Sequence, residues 1–380
     1  MQTPRERAYP LAFYRSAELN AGGPAAAPKP VPSARSTPRP KKAYVRRLGD
    51  SSPRIRAMVQ LGFVALTLIS GLQFILWVRY YESGGASIQV SRPAGVEAWL
   101  PIAALMKLKA FVLTGTVPAL HPAGLFLLIA FLAISFLYRK AFCSWICPIG
   151  TISEWLWEFG QSVFGRTFAL PRWFDVPLRS LKYILFGLFA YLVITMSVPD
   201  IEAFLGSPYG LVADVKMLDF FRKMGQTTAI VLAVLIVLSI VVKNFWCRYL
   251  CPYGAMLGLV ALVSPVRIRR DPATCIDCAK CAKACPAGLP VDTALSIRSA
   301  ECTACLSCVA VCPAEGALDL KFGLKRANAP VPAWSLAIGI LILFVGIVGF
   351  ARAAGYWHTD LPDALYRELI PRAAEFAHPR

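Results

Sequence analysis

Five stretches of the chain read as nearly continuous apolar runs bounded by polar or basic residues. They cover 57–78, 122–138, 176–198, 227–246 and 331–351. A helix needs ~20 such residues to cross a bilayer. The pattern therefore predicts an α-helical integral membrane protein with about five spans. Trp77, Tyr80 and Tyr81 stand at the far end of the first run, where aromatic side chains anchor a helix at the membrane interface. Two weaker runs remain. The one at 97–120 contains Lys107, Lys109 and Pro118 and reads as an interfacial or re-entrant segment. The one at 255–266 is too short to cross and reads as a packed helix. A polar, cysteine-rich stretch at 265–328 interrupts the pattern before the final span at 329–352 and a short tail at 353–380.

Composition agrees with this reading. Apolar residues make up 57% of the 380, and charged residues only 16%. Soluble domains run nearer ~45–50% and ~25%. The net charge is +18, and it is unevenly placed. Residues 1–56 hold twelve Lys and Arg against Glu6, Glu18 and Asp50. This Pro- and Ala-rich arm is expected to be largely disordered and to lie against anionic lipid rather than nucleic acid. No apolar core follows its early charges, so it does not read as a signal peptide. Basic flanks (Arg139 and Lys140, Arg179 and Lys182, Lys243 and Arg248, Lys321, Lys325 and Arg326) place 139–175 and 243–330 on the inner, cytoplasmic side of a bacterial inner membrane. Segments 80–121, 199–226 and 353–380 are then expected outside.

The twelve cysteines carry the chemistry. Cys275, Cys278, Cys281 and Cys285 form one C-x2-C-x2-C-x3-C-P run ending at Pro286, and Cys302, Cys305, Cys308 and Cys312 form another ending at Pro313. This is the spacing of bacterial ferredoxins, in which the fourth cysteine of each run ligates the other cluster. The expected ligand sets of two [4Fe-4S] clusters are thus Cys275, Cys278, Cys281 and Cys312, and Cys302, Cys305, Cys308 and Cys285. Residues 265–328 are accordingly expected to form an inserted dicluster ferredoxin-like α+β domain. Zinc sites more often pair their cysteines and add histidine, and no His lies between 122 and 357.

The other four cysteines sit in an internal repeat. SFLYRKAFCSWICPIG (135–150) aligns with SIVVKNFWCRYLCPYG (239–254) at a constant offset of 104. Cys143 matches Cys247, Cys147 matches Cys251, and each C-x3-C-P-x-G closes a predicted span within the transmembrane region, 57–264. An i, i+4 pair on one helix face would present two sulfurs together. Their use stays open among a disulfide or dithiol, a metal ion, a further Fe–S centre, and a purely structural kink.

Ferredoxin runs flanked by spans, with two membrane C-x3-C-P motifs, resemble the NapH/NosR/CcoG group of membrane-bound polyferredoxins, the 4Fe-4S-binding membrane proteins related to YccM. The resemblance covers about 57–352. It implies electron transfer between the quinone pool or a cytoplasmic donor and a protein redox partner. It also admits a branch acting as a metal (copper) reductase or assembly factor, while a non-catalytic scaffold for a redox partner is the third reading. The arm is too short for the flavin domain of NosR-like members, and the tail too short for the immunoglobulin-like domain of CcoG-like ones. The three histidines, His121, His358 and His378, offer no facing pair for a b-type haem. Neither a c-type haem nor a nucleotide or flavin motif is present. His121 is expected to be an interfacial residue.

Overall fold

The computed structural model describes residues 44–47, 49–165, 168, 170–323, 329–359 and 361–378. Most of the basic arm, together with Lys325 and Arg326, lies outside the described residues. The first helix, α1 (Ser52–Glu82), has 31 residues and is therefore ~46 Å long at 1.5 Å per residue. A 3-10 turn at Ala94–Trp99 leads into α2 (Pro101–Thr114). Then come α3 (Ala123–Tyr138), the short α4 (Ala141–Trp145), α5 (Pro148–Phe164) and α6 (Arg172–Thr195). Three short helices follow, α7 (Val198–Gly206), α8 (Pro208–Leu211) and α9 (Ala213–Arg222), and then α10 (Gln226–Val241). A π turn at Trp246–Leu250 opens into α11 (Pro252–Ala261).

Strand β1 (Val266–Arg270) begins the cysteine-rich insert. Helices α12 (Lys280–Ala284) and α13 (Ser307–Ala310) follow, and β2 (Leu318–Phe322) returns antiparallel to β1, with Ile268 opposite Leu320. The two-residue β3 (Ala329–Pro330) extends this sheet in the order β1-β2-β3. The chain ends in α14 (Ala333–Ala353) and α15 (Asp363–Leu369).

Among the described residues, three helices, α1, α6 from Trp173 and α14, are long and apolar enough to cross a membrane, and α9 with α10 makes a fourth if that pair, bent by 81°, is one span. The runs predicted at 122–138 and 227–246 are helices of 16 residues each, about 24 Å and short of a ~30 Å hydrocarbon core. Their surroundings differ. In α3, Leu125, Leu128 and Ile134 have at most 1% exposure, because α2, α11, α14 and the 3-10 turn pack against this helix. In α10, Ile230, Val231, Val234 and Val237 are exposed, as are Leu61, Leu66, Leu68 and Ile69 of α1 and Ile342 and Val345 of α14. Apolar belts of that extent would be costly in water and match a lipid boundary.

The two ends of α1 separate the molecule's two poles. At its start, Arg56 Nη2 donates to Glu154 Oε1 at 2.6 Å, and Gln60 Nε2 donates to Ser144 O and Glu154 Oε2. These contacts bind α1 to α4 and α5, beside the insert. At its other end, Trp77, Val78 and Tyr81 share a core with Val212, Val215, Tyr366 and Ile370. Segments 80–121, 199–226 and the tail, expected on one side from the basic flanks together with the five-span count, thus meet at one pole.

That pole also holds a buried charge network. Arg92 donates to Glu97 at 2.9 Å and to Asp214 at 2.7 Å, and Lys107 Nζ donates to His121 O at 2.6 Å. His121 is 4% exposed, with φ of 53°. It is a member of this network and not the interfacial residue expected. Burial would raise the Glu97 carboxyl, but the His121 hydrogen bond, Arg92 and Lys107 hold it down at about 2.

Candidate functional site: two four-cysteine cavities beside a four-thiol membrane motif

The two ferredoxin-type runs take up the same backbone shape, 27 positions apart. Asp277 and Ala279 flank Cys278 with φ of 56° and 55°, and Ala304 and Leu306 flank Cys305 with φ of 51° and 62°. Left-handed residues are uncommon outside glycine. Left-handed residues in such turns help gather backbone N–H groups into one concavity, a nest for an anion. Each run then enters a short helix, α12 or α13.

These turns build two cavities. One is lined by Cys275, Cys278, Cys281 and Cys312. The other is lined by Cys285, Cys302, Cys305 and Cys308. The last cysteine of each run thus stands in the cavity of the other run. Ile268, Leu289, Val291 and Ile297 wall the second cavity with apolar surface, and Leu289 N donates to Cys285 Sγ at 3.5 Å. Thiolate donors, inward N–H groups and apolar walls are the environment a [4Fe-4S] cluster requires. Cys278 is exposed, whereas Cys302 and Cys308 are buried, so the first cavity faces outward and the second inward. Cys281 and Cys308 lie within charge range of one another, which makes the cavities neighbours.

The membrane motifs fold alike but not as one helix. Cys143 lies in α4 and Cys147 is the N-cap of α5. Cys247 lies in the π turn and Cys251 caps α11. Each proline forces its preceding cysteine to extended geometry, with ψ of 118° at Cys147 and 105° at Cys251. The cysteine pairs therefore do not share an α-helical face, and the proline starts a new helix instead of kinking an old one. Both motifs close with an i to i−5 bond, Cys147 N to Phe142 O at 2.9 Å and Cys251 N to Trp246 O at 3.0 Å. The glycine of the first motif is a packing requirement, since a Cβ on Gly150 would stand 2.0 Å from Cys143 O. In the second motif the matching contact of Gly254 is an ordinary van der Waals distance of 3.6 Å, so a Cβ would be accommodated there.

The repeat brings all four thiols within mutual charge range, with Lys140 among them. Among the described residues, no three Cys, His, Asp or Glu side chains are grouped at the spacing of a single metal ion.

The first motif also grips the second cavity. Trp145 Nε1 donates to Ala304 O at 3.1 Å, Ser144 Oγ to Thr303 O at 2.7 Å, and Arg139 Nη2 to Ser299 O at 2.5 Å. On α11, Gly258 packs so closely that a Cβ there would meet Ala300 O at 2.9 Å. Glu301 accepts from Lys182 Nζ at 2.6 Å and from Tyr183 at 2.9 Å, and Lys140 Nζ lies 3.5 Å away. The basic residues read as topological flanks are therefore buried around the loop that carries Cys302: Arg139 and Lys182 are 0% exposed and Lys140 4%. The end of the basic arm docks as well. Arg47 N donates to Pro313 O at 2.9 Å, and Arg47 reaches Asp319 and Asp50.

An apolar helix bundle carrying paired four-cysteine cavities defines a membrane-bound iron–sulfur protein of the polyferredoxin type. Comparison with known proteins agrees. A family model described as a 4Fe-4S binding domain matches residues 120–167 and 224–270, the two membrane motifs, and one described as a 4Fe-4S dicluster domain matches 267–313. The Escherichia coli protein named "Putative electron transport protein YccM" is 46% identical over 326 residues, covering 85% of this chain and 91% of that one. The ferredoxin-type protein NapH of Haemophilus influenzae is 25% identical over 236 residues, 61% of this chain and 73% of that one. The regulatory protein NosR of Pseudomonas aeruginosa is 28% identical over 242 residues, 61% of this chain but 30% of its own length. No solved structure matches. The chain belongs to the YccM family of membrane-bound, ferredoxin-type iron–sulfur proteins.

Proposed function

We propose that this protein carries electrons through two [4Fe-4S] clusters between the quinone pool or a cytoplasmic donor and a protein redox partner. Cluster I would be held by Cys275, Cys278, Cys281 and Cys312, and cluster II by Cys285, Cys302, Cys305 and Cys308. The observation that carries this reading is the pair of cavities, each lined by four cysteines, the inner one seated against the membrane motif. Each cluster, when bound, supplies reversible one-electron storage. The chain's own residues hold the thiolates, direct N–H groups at them and exclude water. The exposed edge at Cys278 suits exchange with a soluble partner, and the buried side at Cys302 suits exchange with the membrane motif.

In this reading Cys143, Cys147, Cys247 and Cys251 form a further redox or metal centre at the inner ends of α3 and α10. The 4Fe-4S description of the family model that spans them supports this. A soft four-thiol set would equally suit a copper-handling role, and copper titration of the purified protein separates the two. The insert would face the cytoplasm across the inner membrane, with α1, α3, α6, α10 and α14 as five crossings. Opposite poles for the insert and α15 support an odd number.

Iron and acid-labile sulfide analysis with potentiometric EPR, with and without quinol, tests the proposal. About eight irons in two cubanes are expected. Zinc in their place, or a single cluster, defeats the assignment. Clusters that quinol does not reduce remove the quinone link.

A further inference from the structure

We infer that Arg139 is a positioning residue that sets the reduction potential of cluster II. The inference rests on the two-cluster reading and goes beyond it. Arg139 lies at the end of α3 with φ of 60° and is wholly buried. Its guanidinium lies close enough to Cys302 Sγ to act on it electrostatically. Nη2 donates to Ser299 O, three residues before Cys302, and the guanidinium also comes within hydrogen-bonding reach of the Cys302 sulfur. A buried charge is costly unless it is paired. A backbone carbonyl and a neutral thiol do not supply the anionic partner that a buried guanidinium calls for.

The local charge identifies that partner. Around the Cys302 loop stand Arg139, Lys140 and Lys182, and the carboxylate in contact with them is Glu301, which is shared by the two lysines. Three buried cations against one carboxylate leave an excess of positive charge on the wall of the second cavity. A cysteine-ligated [4Fe-4S] cluster is anionic when oxidised and more so when reduced. It answers this excess, and the reduced form answers it better. Arg139 therefore favours the reduced state and raises the potential, by charge and by the N–H groups it can direct at sulfur. The arginines near the other cavity are placed differently: Arg270, which lines it, is ion-paired to Asp277, and Arg47 is ion-paired to Asp50 and Asp319. Position 243, which matches Arg139 in the second repeat, is Lys243. It donates to Lys283 O and lies within charge range of Cys285, so both repeats send a cation toward the same cluster.

The test is potentiometric EPR on the full-length protein and two variants, with iron and sulfide counted in each. Arg139→Gln removes the charge. It is expected to lower the reduced-to-oxidised ratio of cluster II at the wild-type midpoint about tenfold, a shift of ~59 mV for one electron, and to leave cluster I in place. Glu301→Gln removes the opposing carboxylate and is expected to move cluster II the other way. Should Arg139→Gln fail to assemble cluster II, the direction of the Glu301→Gln shift decides. Two clusters present with an unmoved cluster II midpoint in Arg139→Gln, an equal shift of both clusters, or a downward shift in Glu301→Gln overturns the role of Arg139 alone. A wild-type protein without clusters overturns the underlying reading and this inference with it.

Discussion

Trp145, two residues after the first membrane cysteine, donates its indole N–H to the carbonyl of Ala304 at 3.1 Å, between Cys302 and Cys305. Both residues are buried, with 0% and 1% exposure. One hydrogen bond thus joins the end of a membrane hairpin to the ligand loop of the inner cavity. Trp145→Phe keeps most of the packing and leaves the Ala304 carbonyl unpaired, at a cost of about 1–3 kcal/mol. The expected result is selective lability of cluster II. Iron release followed on warming should show the Cys302 centre lost first, with the Cys275 centre close to wild type.

The exchange of last cysteines between cavities makes a prediction that order along the chain does not. Cys285→Ser should perturb the cluster on Cys302, Cys305 and Cys308, because Cys285 lines that cavity. The cluster on Cys275, Cys278 and Cys281, nearer in sequence, should keep its signal. EPR of the variant decides; a change confined to the nearer cluster would show that the crossing is wrong.

The membrane cysteines can be separated from the turns that hold them. Cys143→Ala and Cys247→Ala retain Pro148, Pro252 and the i to i−5 bonds, which are backbone interactions. Both ferredoxin-type clusters should assemble, and the protein should stay in the membrane. Reduction of the clusters by quinol or by the physiological donor should nevertheless slow sharply in the double variant. An unchanged stopped-flow rate would make the four sulfurs packing groups.

Topology follows from the two poles of α1. Reporter fusions after Lys140, after Arg248 and at Gly323 are expected to report one compartment, the cytoplasm. Fusions at Ala94, at Ser207 and after His378 should report the other. A fusion after His378 that agrees with the one at Lys140 would require an even number of crossings and sink the five-span arrangement.

Much of this architecture was legible before any fold was known, because it rests on short-range constraints. The seven residues of C-x2-C-x2-C supply three of the four sulfurs a cluster needs from one short segment. Apolar composition over ~20 residues decides membrane residence locally. The 104-residue repeat was equally plain, since a helix end, a cysteine pair, a proline and a glycine recur in order. Local reasoning went astray where two local rules competed. The i, i+4 spacing promised a shared helix face, but the residue before proline avoids the helical region, and that preference won at Cys147 and Cys251.

The charges were where only the tertiary structure could decide. Arg139, Lys140 and Lys182 read as ordinary basic flanks at the ends of spans, indistinguishable by type and position from residues that meet lipid headgroups. Their partners, Ser299 and Glu301, lie 119 to 161 positions further along the chain. His121 was hidden in the same way, since Arg92 and Glu97 precede it by 24 to 29 positions and Thr359 follows by 238. A charged side chain at a helix end has the same local chemistry whether it faces water or a buried anion. Which of the two it meets depends on long-range packing, and packing is a property of the whole chain.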